Sequence, residues 1–428
     1  NVYSKDDSVL MTITPADGKV FKQETLEGLR YLTEESWQLP FVTRVDSVTN
    51  FQHSYAEGDD LTVHDLVNAS TLSGSVSEED LYRLENISLN EPMLADRLIN
   101  EDASVTGINI KMTFPGASPF EVPEAAEQAR QLADRFMQQY PGHEVHLTGM
   151  VMLNDAFNEA GIRDVMTLMP LMYGIITVML FFILRNKTGV AMTLGVMILS
   201  IIGAMGFSGW ARIPITPPSS IAPTVIMTLA IAHSIHFLKT MFKVIRDGTG
   251  RNEAIIESMR QNLRPVSLTS LTTVIGFLSL NFSDTPPFHD LGNITAVGVT
   301  FAFILSVGLL PAVMSMVNIV LPEHKSSRFA IASRYSAWLE RYSLPIIAVM
   351  LFGIVMIGAQ IRDIHINDQF VGYFDQSIRF RPDSEYTIEN LTGVYQMNFD
   401  VRSGEEQGIA AVSYTHLRAH ETSLPISY

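Results

Sequence analysis

The sequence predicts an α+β membrane protein: a split-βαβ, ferredoxin-like domain outside the membrane over residues 1–163, followed by a six-helix transmembrane bundle over 164–361. Three observations carry this. Residues 166–184 read MTLMPLMYGIITVMLFFIL without a charge and run directly into Arg185, Asn186 and Lys187, a length that crosses a hydrocarbon layer of ~30 Å at ~1.5 Å per residue. Further apolar runs follow before Ile361. Ahead of them, strand-like and helix-like periods alternate, and no segment is long enough to span a bilayer.

The soluble elements follow in order. Val9–Thr14 is short and β-rich, Glu24–Trp37 is amphipathic and Val42–Thr49 alternates again, which makes one βαβ unit. Glu57–Asp65 reads as an irregular acidic stretch and Glu78–Asn86 as helical. The pattern then recurs, with a strand over Ser104–Phe114, a helix over Pro123–Gln139 with proline in its first turn, and a strand over Glu144–Thr148. Two such units in tandem predict the split-βαβ sandwich.

The membrane helices are expected at about 166–184, 190–207, 221–242, 266–282, 291–321 and 345–361. Lys and Arg gather in alternate loops: Arg185 and Lys187, then Lys239 to Arg264, then Lys325 to Arg341, whereas the opposite loops hold Arg212 alone. The positive-inside rule then puts residues 1–163 and everything from 362 outside the cytoplasm. Ala254, Ile256, Met259 and Leu263 recur at roughly helical spacing between the third and fourth helices. They fit a helix lying on the inner surface or a connector packed on the bundle.

Residues 1–163 hold 27 acidic against 11 basic side chains and so account for the whole formal net charge of −16. An acidic domain repels nucleic acid and anionic lipid at long range, so neither is its expected partner. The chain has no cysteine, which removes disulfides, thiolate chemistry and Cys-based zinc sites. No Gly-rich phosphate loop precedes a helix and no Ser-His-Asp arrangement can be defended, so neither an enzyme nor a cofactor is expected. The chain begins at Asn1 without a leading apolar segment, so a preceding membrane helix is expected upstream. Residues 362–411 read as the start of a second external domain, and 412–428 as a non-native tail resembling translated adapter read-through.

Several segments carry a resemblance to half of an RND-superfamily exporter, in the group of bacterial exporters related to MMPL lipid transporters and to Patched-type, sterol-sensing membrane proteins. Phe41–Phe51 (FVTRVDSVTNF) resembles the early external-domain motif of that group, and residues 223–239 (PTVIMTLAIAHSIHFLK) its fourth membrane helix. Residues 265–280 (PVSLTSLTTVIGFLSL) resemble its fifth, and 367–380 the entry to its second external domain. The resemblance implies a porter-type role for the first domain, twelve helices in two halves of which this chain holds the second to seventh, and dimers or trimers. It also implies a cell inner membrane location and export coupled to proton entry.

Proton-coupled members carry an acidic residue in the middle of helix four, and the matching position here is His233. Histidine changes charge near neutral pH, unlike lysine or arginine. His236 and Thr240 follow at i+3 and i+7 and extend a stripe toward the cytoplasmic end. The same imidazole could instead be an inward-facing group hydrogen-bonded to a neighbouring hydroxyl. Ser267, Thr269, Ser270, Thr272 and Thr273 make the 266–282 helix rich in hydroxyls, which either bond backbone carbonyls or complete a polar path, with Thr269, Ser270 and Thr273 within reach of His233. A metal is not expected, because two histidines at i and i+3 lack further ligands. The expected function is secondary-active export of lipid-like or hydrophobic molecules, with membrane lipids as partners. The alternative is a non-transporting, sterol-sensing-like lipid-binding or assembly protein, and fold analogy alone does not separate the two.

Overall fold

The computed structural model describes residues 6–57, 60–67, 76–118, 120–317, 319, 328–364 and 369–394. It divides into two compact units, one of residues 1–156 with 370–428 and one of 157–369. The tail at 412–428 lies outside the described residues.

The first unit is built on a four-stranded antiparallel sheet in the order β2-β5-β1-β6, where β1 is Asp6–Pro15, β2 Val42–Asp46, β5 Thr106–Thr113 and β6 His143–Thr148. This is the split-βαβ topology expected from the two tandem units. Central strand β1 pairs with β5 from Asp6↔Thr113 to Ile13↔Thr106, and with β6 from Leu10↔Thr148 to Pro15↔His143. One face of the sheet presents Val9, Met11, Ile13, Ile108, Ile110 and Met112, all fully buried. Helices α1 (Gln23–Ser36) and α3 (Glu121–Gln139) supply the apolar stripes that form this core, including Leu26, Leu29, Leu32, Ala129, Leu132 and Phe136. Helix α2 (Glu78–Asn90) begins with Ser77, whose side chain accepts from Asp80 N at 3.1 Å.

Three differences from the sequence reading concern this unit. The stretch 57–65 is not irregular: β3 (Gln52–Glu57) and β4 (Asp60–Asp65) form an antiparallel hairpin. Strand β2 stops at Asp46 rather than Thr49, because the Asn50 amide donates to Val45 O at 2.7 Å and its oxygen accepts from Ser47 N at 2.8 Å, closing a turn. The described part of the 362–411 segment does not stand apart as its own domain. Helix α12 (Phe380–Asn390) packs on the second face of the sheet, with Thr387 Oγ1 2.9 Å from Thr12 Oγ1 and Ser384 Oγ 2.7 Å from Thr148 Oγ.

Helix α4 (Met150–Leu184) is one continuous helix, so no break falls at the expected 163/164 boundary. Its first residues belong to the first unit, where Asp155 accepts from Arg130 Nη2 of α3 at 2.6 Å. Gly149, at φ +105°, makes the turn from β6 into α4, and a Cβ there would sit 2.5 Å from Ser8 O.

The second unit holds the apolar helices. Among the described residues six helices are long and apolar enough to cross a membrane: Met150–Leu184, Lys187–Trp210, Pro218–Arg246, Arg251–Phe282, Pro286–Met316 and Ser343–Asp363. Within them, α5 is Lys187–Trp210, α6 Ala222–Arg246, α7 Arg251–Leu278, α8 Pro286–Ile304, α9 Leu310–Met316 and α11 Ser343–Ala359. Helix α10 (Arg328–Arg341) precedes α11. The core is shared by α5, α6 and α8, through Val196, Met197, Ala230, Leu238, Met241 and Ala302. Gly298 of α8 lies directly against Ile226, and Gly203 of α5 against Phe301, so these glycines permit close approach, whereas Gly195, Gly206 and Gly209 have nothing near their Cβ positions.

Two boundaries move. The segment 254–264 is not a separate surface helix: α7 runs through Pro265 without a break, and Ala254 and Ser258 are buried, with Ser258 Oγ donating to Phe237 O at 2.7 Å. The fifth span stops at Met316 rather than Leu321. Between α8 and α9 the backbone takes a π-helical turn over Leu305–Leu309, just ahead of Pro311, where the missing proline N–H disrupts regular pairing.

A candidate intramembrane site around His233

His233 lies midway along α6 and is 3 % exposed. Its depth follows from the local sequence, since Ala230, Ser234 and Phe237 on the same side of α6 are also buried against α5, α7 and α8. Ser234 does not reach across, because its hydroxyl donates to Ala230 O at 2.8 Å.

Across the helix interface, His233 Nε2 stands 3.4 Å from Ser270 Oγ of α7. That hydroxyl already donates to Val266 O at 2.8 Å. Its oxygen is therefore left to accept, which suits the tautomer with the proton on Nε2 and a bare lone pair on Nδ1. Nδ1 has no hydrogen-bond partner among the described residues, and neither has Ser306 Oγ, in the π-helical turn. Both residues line one pocket with Phe237, Met259, Asn262, Leu263, Val266 and Val307. Two buried polar groups with unmet bonding capacity on one apolar-walled pocket are costly unless something polar or protonic joins them.

The remaining expected residues are placed differently. His236 is exposed and Thr240 half-buried, because a step of three residues turns a helix back by about 60° and carries His236 off the buried stripe. Thr240 accepts from Asn262 Nδ2 at 2.9 Å and donates to His236 O at 3.1 Å. Thr269 is exposed and bonds Pro265 O at 2.9 Å. Among the described residues no hydrogen bond joins Thr269 or Thr273 to His233, so Ser270 is the one member of that trio that meets it. The hydroxyls of Ser267, Thr269, Ser270 and Thr272 all bond carbonyls four residues back, which is the backbone alternative of the two.

Sequence reasoning missed Ser306 and Asn262. Ser306 is the single polar residue between Phe301 and Met314, and that isolation in an apolar run was an available signal. Asn262 sits among charged residues and gave none; its Nδ2 lies 2.9 Å from both Thr240 Oγ1 and Ser258 O.

A split-βαβ domain joined to six apolar helices, with a buried ionisable side chain in the third of them, defines an RND-type membrane protein. More narrowly, the chain belongs to the MMPL family, whose profile matches residues 7–342. It is 25 % identical over 220 residues to a membrane protein of Methanocaldococcus jannaschii, covering 51 % of this chain and 56 % of that one. It is 28 % identical over 141 residues to the hopanoid transporter HpnN of Rhodopseudomonas palustris, covering 32 % and 16 %. It is 25 % identical over 236 residues to the siderophore exporter MmpL5 of Mycobacterium tuberculosis, covering 53 % and 24 %. The chain thus spans 56 % or less of the length of these relatives. It is a multi-pass membrane protein.

Proposed function

We propose that this chain is half of a twelve-helix secondary-active exporter of the inner membrane, moving lipid-like or hydrophobic molecules outward with proton entry as the drive. His233 takes the relay position, with Ser270 orienting the ring and Ser306 lining the same pocket. The full-length protein works as a dimer or trimer, and residues 1–163 with 362 onward lie in the periplasm. The observation that carries this reading is His233 Nδ1: a buried proton acceptor, without a protein partner among the described residues, on a pocket it shares with the unpaired hydroxyl of Ser306. A protonatable group so placed inside a span is costly to keep for structure alone. The hydrophobic cargo is supported by the name of one relative, a hopanoid transporter. An apolar groove of about 330 Å³ between α5, α7 and α8, lined by Phe207, Leu278, Ala296, Phe301 and Ile304 among others, has a matching chemistry.

In the full-length protein His233→Ala abolishes gradient-driven transport of a fluorescent lipid into inverted vesicles, where the cytoplasmic face is outermost, while membrane insertion is kept. Export at the wild-type rate across about pH 6 to 8 would remove His233 from the mechanism, whereas absence of gradient-driven export by the unsubstituted full-length protein would favour the non-transporting lipid-binding alternative.

A further inference from the structure

The apolar groove between α5, α7 and α8 has one polar end. Its wall on α7 is Val274 and Leu278, and its wall on α8 includes Ala296, Thr300 and Ile304. Asn281 stands three positions after Leu278, in the 3₁₀ turn Ser279–Phe282, and Asn293 three positions before Ala296. Each wall therefore continues, one turn further along the same face, into an asparagine. The two side chains meet in the open: Asn281 Nδ2 donates to Asn293 Oδ1 and Asn293 Nδ2 to Asn281 Oδ1, both at 3.0 Å. Gly292 permits this meeting, because any Cβ there would run into Phe277 O of α7. The second Asn281 N–H goes to Leu278 O at 3.0 Å. Among the described residues this leaves one Asn293 N–H and a lone pair on each amide oxygen for a further group. No charged side chain lines the groove, and the hydroxyl of Thr300 donates to Ala296 O at 2.9 Å.

We propose that the groove binds a single amphiphile with an uncharged, hydroxyl-bearing head, its apolar body lying along Val274, Leu278 and Ile304 and its head on the Asn281–Asn293 amide pair. The pair offers a donor and two acceptors side by side, which suits a hydroxyl, since a hydroxyl gives one hydrogen bond and takes another. A sulfate or carboxylate head would face the two amide oxygens as well as the single N–H, and an ammonium head would face that N–H as well as the oxygens. Neither would find a counter-charge on the walls. The groove volume of about 330 Å³ falls at the lower end of small-molecule sites, roughly 300–1,000 Å³. It is smaller than the roughly 400 Å³ that one helical turn ~10 Å across and ~5.4 Å long displaces, so it has no room for a helix. The exporter reading enters only in making this ligand the cargo; binding itself needs no gradient, so failure of transport and failure of this site are told apart.

The full-length protein is reconstituted in phosphatidylcholine nanodiscs and labelled by light with a monoacylglycerol whose chain carries a diazirine; an alkyl sulfate with the same chain is the charged comparison. The monoacylglycerol label saturates, maps by mass spectrometry to 274–278 and 296–304, and is suppressed by excess unlabelled monoacylglycerol. The alkyl sulfate needs a higher concentration for the same labelling. Asn281→Leu with Asn293→Leu keeps the side-chain size and removes the amide groups, so half-saturation by the monoacylglycerol moves up about fivefold to tenfold, the loss of one or two neutral hydrogen bonds. Half-saturation by the alkyl sulfate does not rise. Thr300→Phe fills the groove and abolishes labelling by both probes, with Ile304→Trp as a second filling variant, and a monodisperse elution profile shows that each variant is folded. Labelling of these peptides that rises without saturation would make the groove ordinary bilayer contact, and absence of label there would mean that protein covers it. Equal half-saturation for the two probes, or for the wild type and the double leucine variant, would take the head away from the amide pair. Each of these results overturns the proposal.

Discussion

Removal of the Asp383 side chain tests how the first unit is closed. Strand β6 is at the edge of the sheet, so its outward backbone groups need partners. Asp383, 6 % exposed, supplies them: Oδ2 accepts from Leu147 N at 3.2 Å and Oδ1 lies 2.9 Å from His146 Nδ1, while Tyr386 stacks on the His146 ring at 4.0 Å. Arg379 Nε, 3.5 Å away on a half-exposed side chain, adds little. Asp383→Ala leaves the buried Leu147 amide unsatisfied, at about 1–3 kcal/mol, and removes the part-buried His146 hydrogen bond, at about 1 kcal/mol, a loss of about 2–4 kcal/mol together. Since about 1.4 kcal/mol is tenfold, the Leu147 amide should exchange with deuterium roughly 30-fold to several hundred-fold faster. Asp383→Asn, which keeps an oxygen for Leu147 N–H, should lose about half as much. The assay is hydrogen exchange with mass spectrometry on peptides covering 143–148 and 380–390. Unchanged exchange in Asp383→Ala would refute the reasoning, because it would mean that α12 does not cover β6 in solution.

Gly298→Leu should cost at least the ~1–3 kcal/mol of an overpacked core, since its first added carbon already meets Ile226 and comes within 3.0 Å of Ala204; the readout is loss of monodisperse protein in detergent, and Gly206→Leu, in open space, should be tolerated. Gly149→Ala should destabilise the first unit by about 1–3 kcal/mol through its positive φ, with further strain from the Ser8 carbonyl, seen as a lowered melting temperature. Glu385 is held below the ordinary carboxyl range chiefly by the Arg381 hydrogen bond at 2.8 Å, with Gln376 adding to it. A depressed folded pKa means that the contribution is present above the unfolded value and lost as pH falls through the folded one. Arg381→Gln should therefore return the Glu385 titration, followed by NMR, toward the ordinary value.

Apart from the hairpin over 52–65 and the joining of 254–264 to α7, order and kind of element were determined by the sequence alone, because strand alternation, amphipathic period and span length are properties of short windows. The two βαβ units, the six spans and the buried His233 were all legible in that way. What the sequence could not carry was anything that depends on residues far apart in the chain. The hairpin over 52–65 has an acidic, non-alternating composition, and cross-strand pairing decided it. The placement of α12 on β6 rests on Thr12–Thr387, Thr148–Ser384 and His146–Asp383, partners more than 230 positions apart. The histidine stripe failed in its second member because three residues do not complete a helical turn. Ser270 was chosen over Thr269 and Thr273 by the rotation of α7 against α6, which no local pattern encodes. The open side of the His233 ring belongs to the tertiary structure for the same reason: Ser306, in the π-helical turn ahead of Pro311, lines the same pocket, and the helix crossings, not the helices, set where buried polar groups converge.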